Sequence, residues 1–135
     1  MIKLSDLLFG VSIKSVVGDI TSVMVNKVEF DSRKVSDSDL FIAIKGVNVD
    51  GHSFIDLSVA DGAKSVIVEE IPEKINKEIC YVQVDCSSSS MSVVSSNYYD
   101  NPSSKIKLVG VTGTNGKTTI VTLLHQLFSE LGYPT

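Results

Sequence analysis

The segment Gly110-Val111-Thr112-Gly113-Thr114-Asn115-Gly116-Lys117-Thr118-Thr119 concentrates the chemistry of this chain. Gly113 and Gly116 let the backbone enter conformations closed to other residues and approach a bound group closely. The N–H groups from Thr114 to Thr118 can then point into one concavity, a nest for anionic oxygens. A helix opening at Lys117 adds its unpaired N–H groups and its dipole. Lys117 is a point charge suited to the β- and γ-phosphates, and a hydroxyl such as that of Thr118 commonly binds Mg²⁺ in such loops. The segment therefore reads as a phosphate-binding loop. Its candidate nucleotide contacts are Gly113, Thr114, Asn115, Gly116, Lys117, Thr118 and Thr119, with Lys117 the candidate catalytic cation and Thr118 the candidate Mg²⁺ ligand. The spacing departs from the standard G-x-x-x-x-G-K-[ST]: the first glycine of that pattern would fall where Val111 stands. The competing reading is a Gly/Thr turn with a solvated lysine.

Such a loop needs a strand before it and a helix after it. Residues 106–111 form an apolar run that predicts a buried strand. Residues 117–131 carry Ile120, Val121, Leu124, Leu127, Phe128 and Leu131 on one helical stripe, closed by Gly132 and Pro134. A strand of this kind lies inside a parallel sheet covered by helices, which one strand and one helix cannot build. The chain of 135 residues is accordingly read as a complete first domain, 1–102, followed by the start of a second, 103–135. A stripe short of its partner surface predicts poor solubility or self-association.

Upstream, the pattern predicts a short helix over 4–9, strand-like segments over 11–17 and 22–30, and a buried strand over 40–44. A helix over 53–60 stops at Gly62, a surface connection covers 71–77, and strands cover 66–68 and 79–84. Strands alternating with helices indicate an α/β fold. Seven of the ten residues 87–96 are serine, a composition typical of linkers. Yet Met91, Val94 and Tyr98 share one helical face, so the segment is expected to be a helix, ended by Asn101-Pro102.

The formal charge of −4, without a basic cluster interleaved with aromatics, argues against nucleic acid as a partner. No run of eighteen apolar residues and no convincing signal peptide are present, so no membrane insertion and a cytoplasmic location are expected. Cys80 and Cys86 lie outside any C-x-x-C or zinc spacing and read as buried or neutral thiols. His52, after Asp50-Gly51, reads as ordering a turn rather than as catalytic. His125 reads as solvated, and Lys105 and Lys107 as solvated residues at a strand edge.

The variant loop G-x-T-G-T-N-G-K-T-T resembles the ATP loop of the Mur ligase family. Four further pieces look like the same family: Asp31-Ser32-Arg33-Lys34-Val35; Asp39-Leu40-Phe41-Ile42-Ala43 followed by Gly46; Asp50-Gly51-His52-Ser53-Phe54-Ile55; and Tyr98-Tyr99-Asp100-Asn101-Pro102-Ser103-Ser104-Lys105. The resemblance implies an N-terminal UDP-sugar-binding α/β domain followed by the first strand–P-loop–helix unit of a central ATP domain. It implies an ATP- and Mg²⁺-dependent amide ligase of peptidoglycan synthesis, a monomer when full length. In family terms, phosphate passes to the D-glutamate carboxylate of UDP-MurNAc-L-Ala-D-Glu. The amine of a diamino acid, meso-diaminopimelate or L-lysine, then displaces it. Ser32 matches a serine that contacts the nucleotide portion, and Phe30 and Asn48, within Val47-Asn48-Val49, match neighbouring substrate contacts. By itself Asp31-Ser32-Arg33 also reads as a local turn. The serines of 87–96 stand where related ligases carry arginine and alanines, a departure that bears on helix stability. Three alternatives remain: the family's D-Ala-D-Ala-adding ligase, a non-catalytic UDP-sugar-binding module, and a generic P-loop NTPase.

Overall fold

The computed structural model describes residues 1–47 and 49–135. It divides into two compact units, Met1–Pro102 and Ser103–Thr135.

The first unit is built on one mixed sheet. The strands are β2 (Ile13–Val17), β4 (Val28–Glu29), β5 (Leu40–Ile42), β6 (Ser65–Val68) and β7 (Cys80–Val84), in the order β2-β7-β6-β5-β4. Neighbours from β4 to β7 run parallel, and β2 closes one edge antiparallel to β7. A small separate ladder pairs β1 (Ile2–Lys3) with β3 (Met24–Val25). The segment 22–30, expected to be extended with one irregularity, thus feeds two different sheets.

The apolar runs in β5, β6 and β7 follow from parallel strands being covered on both faces. Alternation sorts their residues into two cores. Leu40, Ile42, Ile67, Cys80, Val82 and Val84 pack with Leu4, Leu7 and Val94, from α1 (Leu4–Leu7) and α3 (Ser87–Tyr98). Phe41, Ala43, Val66, Val68 and Tyr81 pack with Ile55 of α2 (Ile55–Ala60) and with Val35 and Ala63. A 3₁₀ turn, Gly51–Phe54, leads into α2, which ends before Gly62.

The serine-rich α3 is a helix because its polar groups find local partners while its apolar face is buried. The Ser90 hydroxyl donates to the Cys86 carbonyl at 2.9 Å, a bond within the helix that leaves no buried polar atom unpaired there. Val94 is fully buried, with Met91 and Tyr98 packed against the same core. At the far end, the Asn97 amide donates to the carbonyls of Leu7 and Phe9 at 2.9 and 2.8 Å, satisfying acceptors that the end of α1 leaves open. The N-terminal residue Cys86 makes no side-chain cap. The Glu69 carboxylate takes that role from the end of β6, accepting from the Ser87 N–H and hydroxyl, both at 2.9 Å.

Buried Asp39, ahead of β5, accepts from the N–H of Lys27 at 3.0 Å and from the N–H and hydroxyl of Ser36, both at 2.9 Å. It fastens the approaches to β4 and β5 together.

The second unit holds most of a 3₁₀ turn at Pro102–Lys105 and the helix α4 (Lys117–Glu130). The strand expected over 106–111 is not formed: the segment carries no strand pairing, and Ile106, Leu108 and Val109 are exposed. A strand exists through its ladder, and no other strand among the described residues lies in this unit. The apolar stripe of α4 is exposed at Ile120, Val121, Leu127 and Leu131. Of the two cysteines, Cys80 is buried and Cys86 is exposed, because it precedes α3 in the bend leaving β7. Among the described residues, no helix is long and apolar enough to cross a membrane.

Candidate functional site

The loop of the second unit is shaped by its glycines. Gly113 and Gly116 have φ of +148° and +76°, conformations that side-chain-bearing residues rarely adopt. Gly116 is the residue before α4, so the left-handed turn aims the chain straight into the helix and leaves its first N–H groups unpaired. Lys117 folds back over the loop, its Nζ donating to the carbonyls of Gly113 at 2.6 Å and Thr114 at 3.4 Å. The ammonium is charged in either arrangement, and a phosphate would offer it a full negative charge where the two carbonyls offer only dipoles. Thr114 to Thr119 are all exposed. Gly113, Thr114, Asn115, Gly116, Lys117, Thr118 and Thr119 thus form one contiguous stretch open to solvent, and the chemistry of its donors suits a polyphosphate. Among the described residues, no cluster of three or more His, Cys, Asp or Glu is arranged for a metal ion.

The first unit gathers its candidates at the carboxyl ends of the parallel strands, where loops from adjacent strands converge. Phe30 and Ser32 follow β4. Asp31 accepts from the N–H of Arg33 at 3.2 Å and from Arg33 Nε and Nη2, both at 2.8 Å. The Arg33 hydrogen bonds hold the Asp31 carboxyl well down, to about 2. This clamp sets the 3₁₀ turn Ser32–Lys34, in which Ser32 is only 8% exposed. Phe30 is 62% exposed. It lines a cleft of about 230 Å³ between β4, β5 and α3, walled also by Val28, Ile42, Met91, Tyr98 and Tyr99. Ser32 is not part of that cleft.

After β5 the chain turns back on itself. Lys45 and Asp50 bridge antiparallel, and the Gly46 N–H donates to Val49 O at 3.0 Å. Val47 and Val49 lie exposed at the tip, and Asn48 lies outside the described residues. The base is tight: a Cβ on Gly51 would sit 2.7 Å from both N and O of Ile44, a separation that only glycine avoids. His52 is at this base, with Nδ1 2.7 Å from Asp50 Oδ1 and Nε2 accepting from the Glu69 N–H at 2.9 Å. Sequence reasoning placed His52 in an ordered turn but missed its second partner, which comes from β6, and missed Glu69 altogether. No local pattern announces a cap supplied from eighteen residues away.

The chain that carries this mixed sheet and this glycine-rich loop has relatives among known proteins. The family model "Mur ligase family, catalytic domain" matches residues 24–112, and the chain belongs to that family. A relative from Cytophaga hutchinsonii, named UDP-N-acetylmuramoyl-L-alanyl-D-glutamate--2,6-diaminopimelate ligase, is 52% identical over 134 residues, covering 98% of this chain and 27% of the relative. One of the same name from Phocaeicola vulgatus is 37% identical over 133 residues, with coverage of 98% and 27%. The chain therefore spans about a quarter of the length of these relatives. Among solved structures, MurF from Acinetobacter baumannii matches with a TM-score of 0.71 at 24% identity, covering 96% of this chain and 28% of that one, which speaks for the fold alone. MurF from Thermotoga maritima in complex with ADP matches with a TM-score of 0.58 at 29% identity, covering 81% and 24%.

Proposed function

We propose that this chain is the N-terminal part of an ATP-dependent amide ligase that adds a diamino acid to UDP-MurNAc-L-Ala-D-Glu in peptidoglycan synthesis. The observation that carries the reading is the 52% identity to a diaminopimelate-adding ligase along nearly the whole chain, and the left-handed glycine turn that opens α4 at Lys117 supports it. In this reading Met1–Pro102 holds the UDP-sugar and Ser103–Thr135 begins the ATP domain. The relatives' names favour 2,6-diaminopimelate as the diamino acid. A D-Ala-D-Ala-adding ligase is the weaker reading, because the MurF likeness comes through structures at 24% to 29% identity.

The residues divide the work by their chemistry. A carboxylate is a poor electrophile, so amide formation needs it activated by phosphoryl transfer, which depends on positioning and on neutralising charge. The loop amides orient the nucleotide's phosphates, and Lys117, released from the carbonyls of Gly113 and Thr114, neutralises them. Mg²⁺, held through the Thr118 hydroxyl, supplies further charge neutralisation when bound. Ser32 offers a donor and an acceptor to the nucleotide portion of the sugar, and Phe30 an apolar ring beside it. Asn48 is assigned to the same end by resemblance alone. The enzyme is placed in the cytoplasm, where UDP-sugars and ATP are both at hand.

The test is a pair of substitutions in the full-length ligase. Lys117→Ala should abolish ATP-dependent turnover, whereas Ser32→Ala should raise KM for the UDP-sugar while leaving KM for ATP in place. Near-normal turnover in the lysine variant sinks the loop assignment.

A further inference from the structure

The carboxyl edge of the sheet carries an unbroken line of polar contacts that the assigned substrate contacts do not include. Asp50 Oδ1 accepts from the His52 N–H at 2.9 Å and lies 2.7 Å from His52 Nδ1. His52 Nε2 accepts from the Glu69 N–H at 2.9 Å. The Glu69 carboxylate caps α3 through Ser87, and the Glu69 carbonyl accepts from the Gln83 amide at 3.0 Å. The line therefore ties the base of the Lys45–Asp50 hairpin to the ends of β6 and β7 and to the start of α3.

The ring at its centre can play its part in only one state. A backbone N–H is always a donor, so Nε2 facing Glu69 must be a lone pair. The proton then sits on Nδ1, directed at Asp50. A second proton on Nε2 would set two donors 2.9 Å apart and break the Glu69 contact. The side chain of His52 is 18% exposed, so water reaches it. The charged groups around it are Asp50 in its own turn, Glu69 at the end of β6, and Lys45 at the hairpin base, which acts on both carboxylates. Asp50 and Glu69 are each held below the ordinary carboxylate range, chiefly by the backbone N–H groups of His52 and Ser87. Both therefore stay ionised near neutrality, and the contact at Nε2 is the one in this set that a second proton on the ring would break.

We propose that His52 is a positioning residue: as a neutral ring it locks the Lys45–Asp50 hairpin onto the end of β6, and its protonation releases the hairpin and weakens UDP-sugar binding. The inference rests on the reading that the substrate's nucleotide end meets this edge of the sheet. Unlike a catalytic residue, His52 acts without touching the substrate.

The test is isothermal titration of this chain with UDP-MurNAc-L-Ala-D-Glu, for wild type and His52→Gln, across a pH series from about 8 to about 5.5. Loss of one hydrogen bond predicts a wild-type Kd that rises roughly tenfold across the series. The glutamine variant, which cannot titrate, should bind with a flat profile. Parallel slopes for the two proteins overturn the role of His52 while leaving the substrate reading intact. No binding by wild type at the alkaline end overturns the substrate reading, and the hairpin's role with it. Nitrogen-15 NMR of the wild-type imidazole needs no variant: the structure requires the Nδ1–H tautomer at the alkaline end, and the Nε2–H tautomer there would refute the lock.

Discussion

Replacing Asp39 gives the sharpest test of how the approaches to β4 and β5 are held together. Its buried carboxylate serves two backbone N–H groups and one hydroxyl, from Lys27 and Ser36. In Asp39→Asn, the remaining oxygen can keep the Lys27 bond at Oδ1, but the new amide nitrogen then faces the Ser36 N–H, donor against donor. The Ser36 hydroxyl can rotate to accept, so the net loss is about one bond to a charged group, about 2–3 kcal/mol. Asp39→Ala abandons all three donors, and the cost rises to about 4 kcal/mol or more. Against a total stability of about 5–15 kcal/mol for a domain of this size, that leaves the alanine variant close to unfolding. At roughly 4–8 °C per kcal/mol, the asparagine variant should melt about 10–20 °C below wild type. The assay is thermal and urea unfolding followed by far-ultraviolet circular dichroism. An asparagine variant within about 0.5 kcal/mol of wild type, the range of an ordinary surface substitution, would refute the reasoning.

Two further predictions concern protons and thiols. Folding lowers the pKa of Glu69 below 4.5, chiefly through the Ser87 N–H, and that of Asp31 from 3.8 to about 2, chiefly through the Arg33 side chain. The unfolded chain thus takes up these protons first. The stability they contribute is present above the unfolded values and is lost on acidification, beginning with Glu69 and then, between 3.8 and about 2, with Asp31. Urea unfolding at stepped pH should show a shallower acid slope for Glu69→Gln, and an unchanged slope would count against the cap. With iodoacetamide at mildly alkaline pH, Cys86 should react first, since a hydrogen bond from Ser89 favours its thiolate. Burial, aided by the charge of Asp19, pushes the Cys80 thiol up to about 11. Equal labelling rates would contradict the burial of Cys80.

What was legible in the sequence was whatever neighbours in the chain decide. The apolar runs of β5, β6 and β7 and the Met91, Val94, Tyr98 spacing beneath a serine-rich surface announced their elements, because burial on both faces, or on one helical face, leaves a periodic trace. The start of α4 at Lys117 was legible because a glycine turn followed by an apolar helical stripe leaves a local trace. Partners distant in sequence were not legible. The strand expected over 106–111 needs a ladder that this unit does not form, the Glu69 cap reaches across to α3, and His52 owes its second contact to β6. The exposure of Cys86 followed from a turn that its own residue type does not encode.

The central claim is that the carboxyl edge of the first unit receives a UDP-sugar. It is tested most directly by titrating the isotope-labelled chain with UDP-MurNAc-L-Ala-D-Glu and following backbone amide shifts. The account predicts saturable changes at Phe30, Ser32, Val49 and His52. Saturable changes confined to residues away from that edge, or none at millimolar ligand, would contradict it.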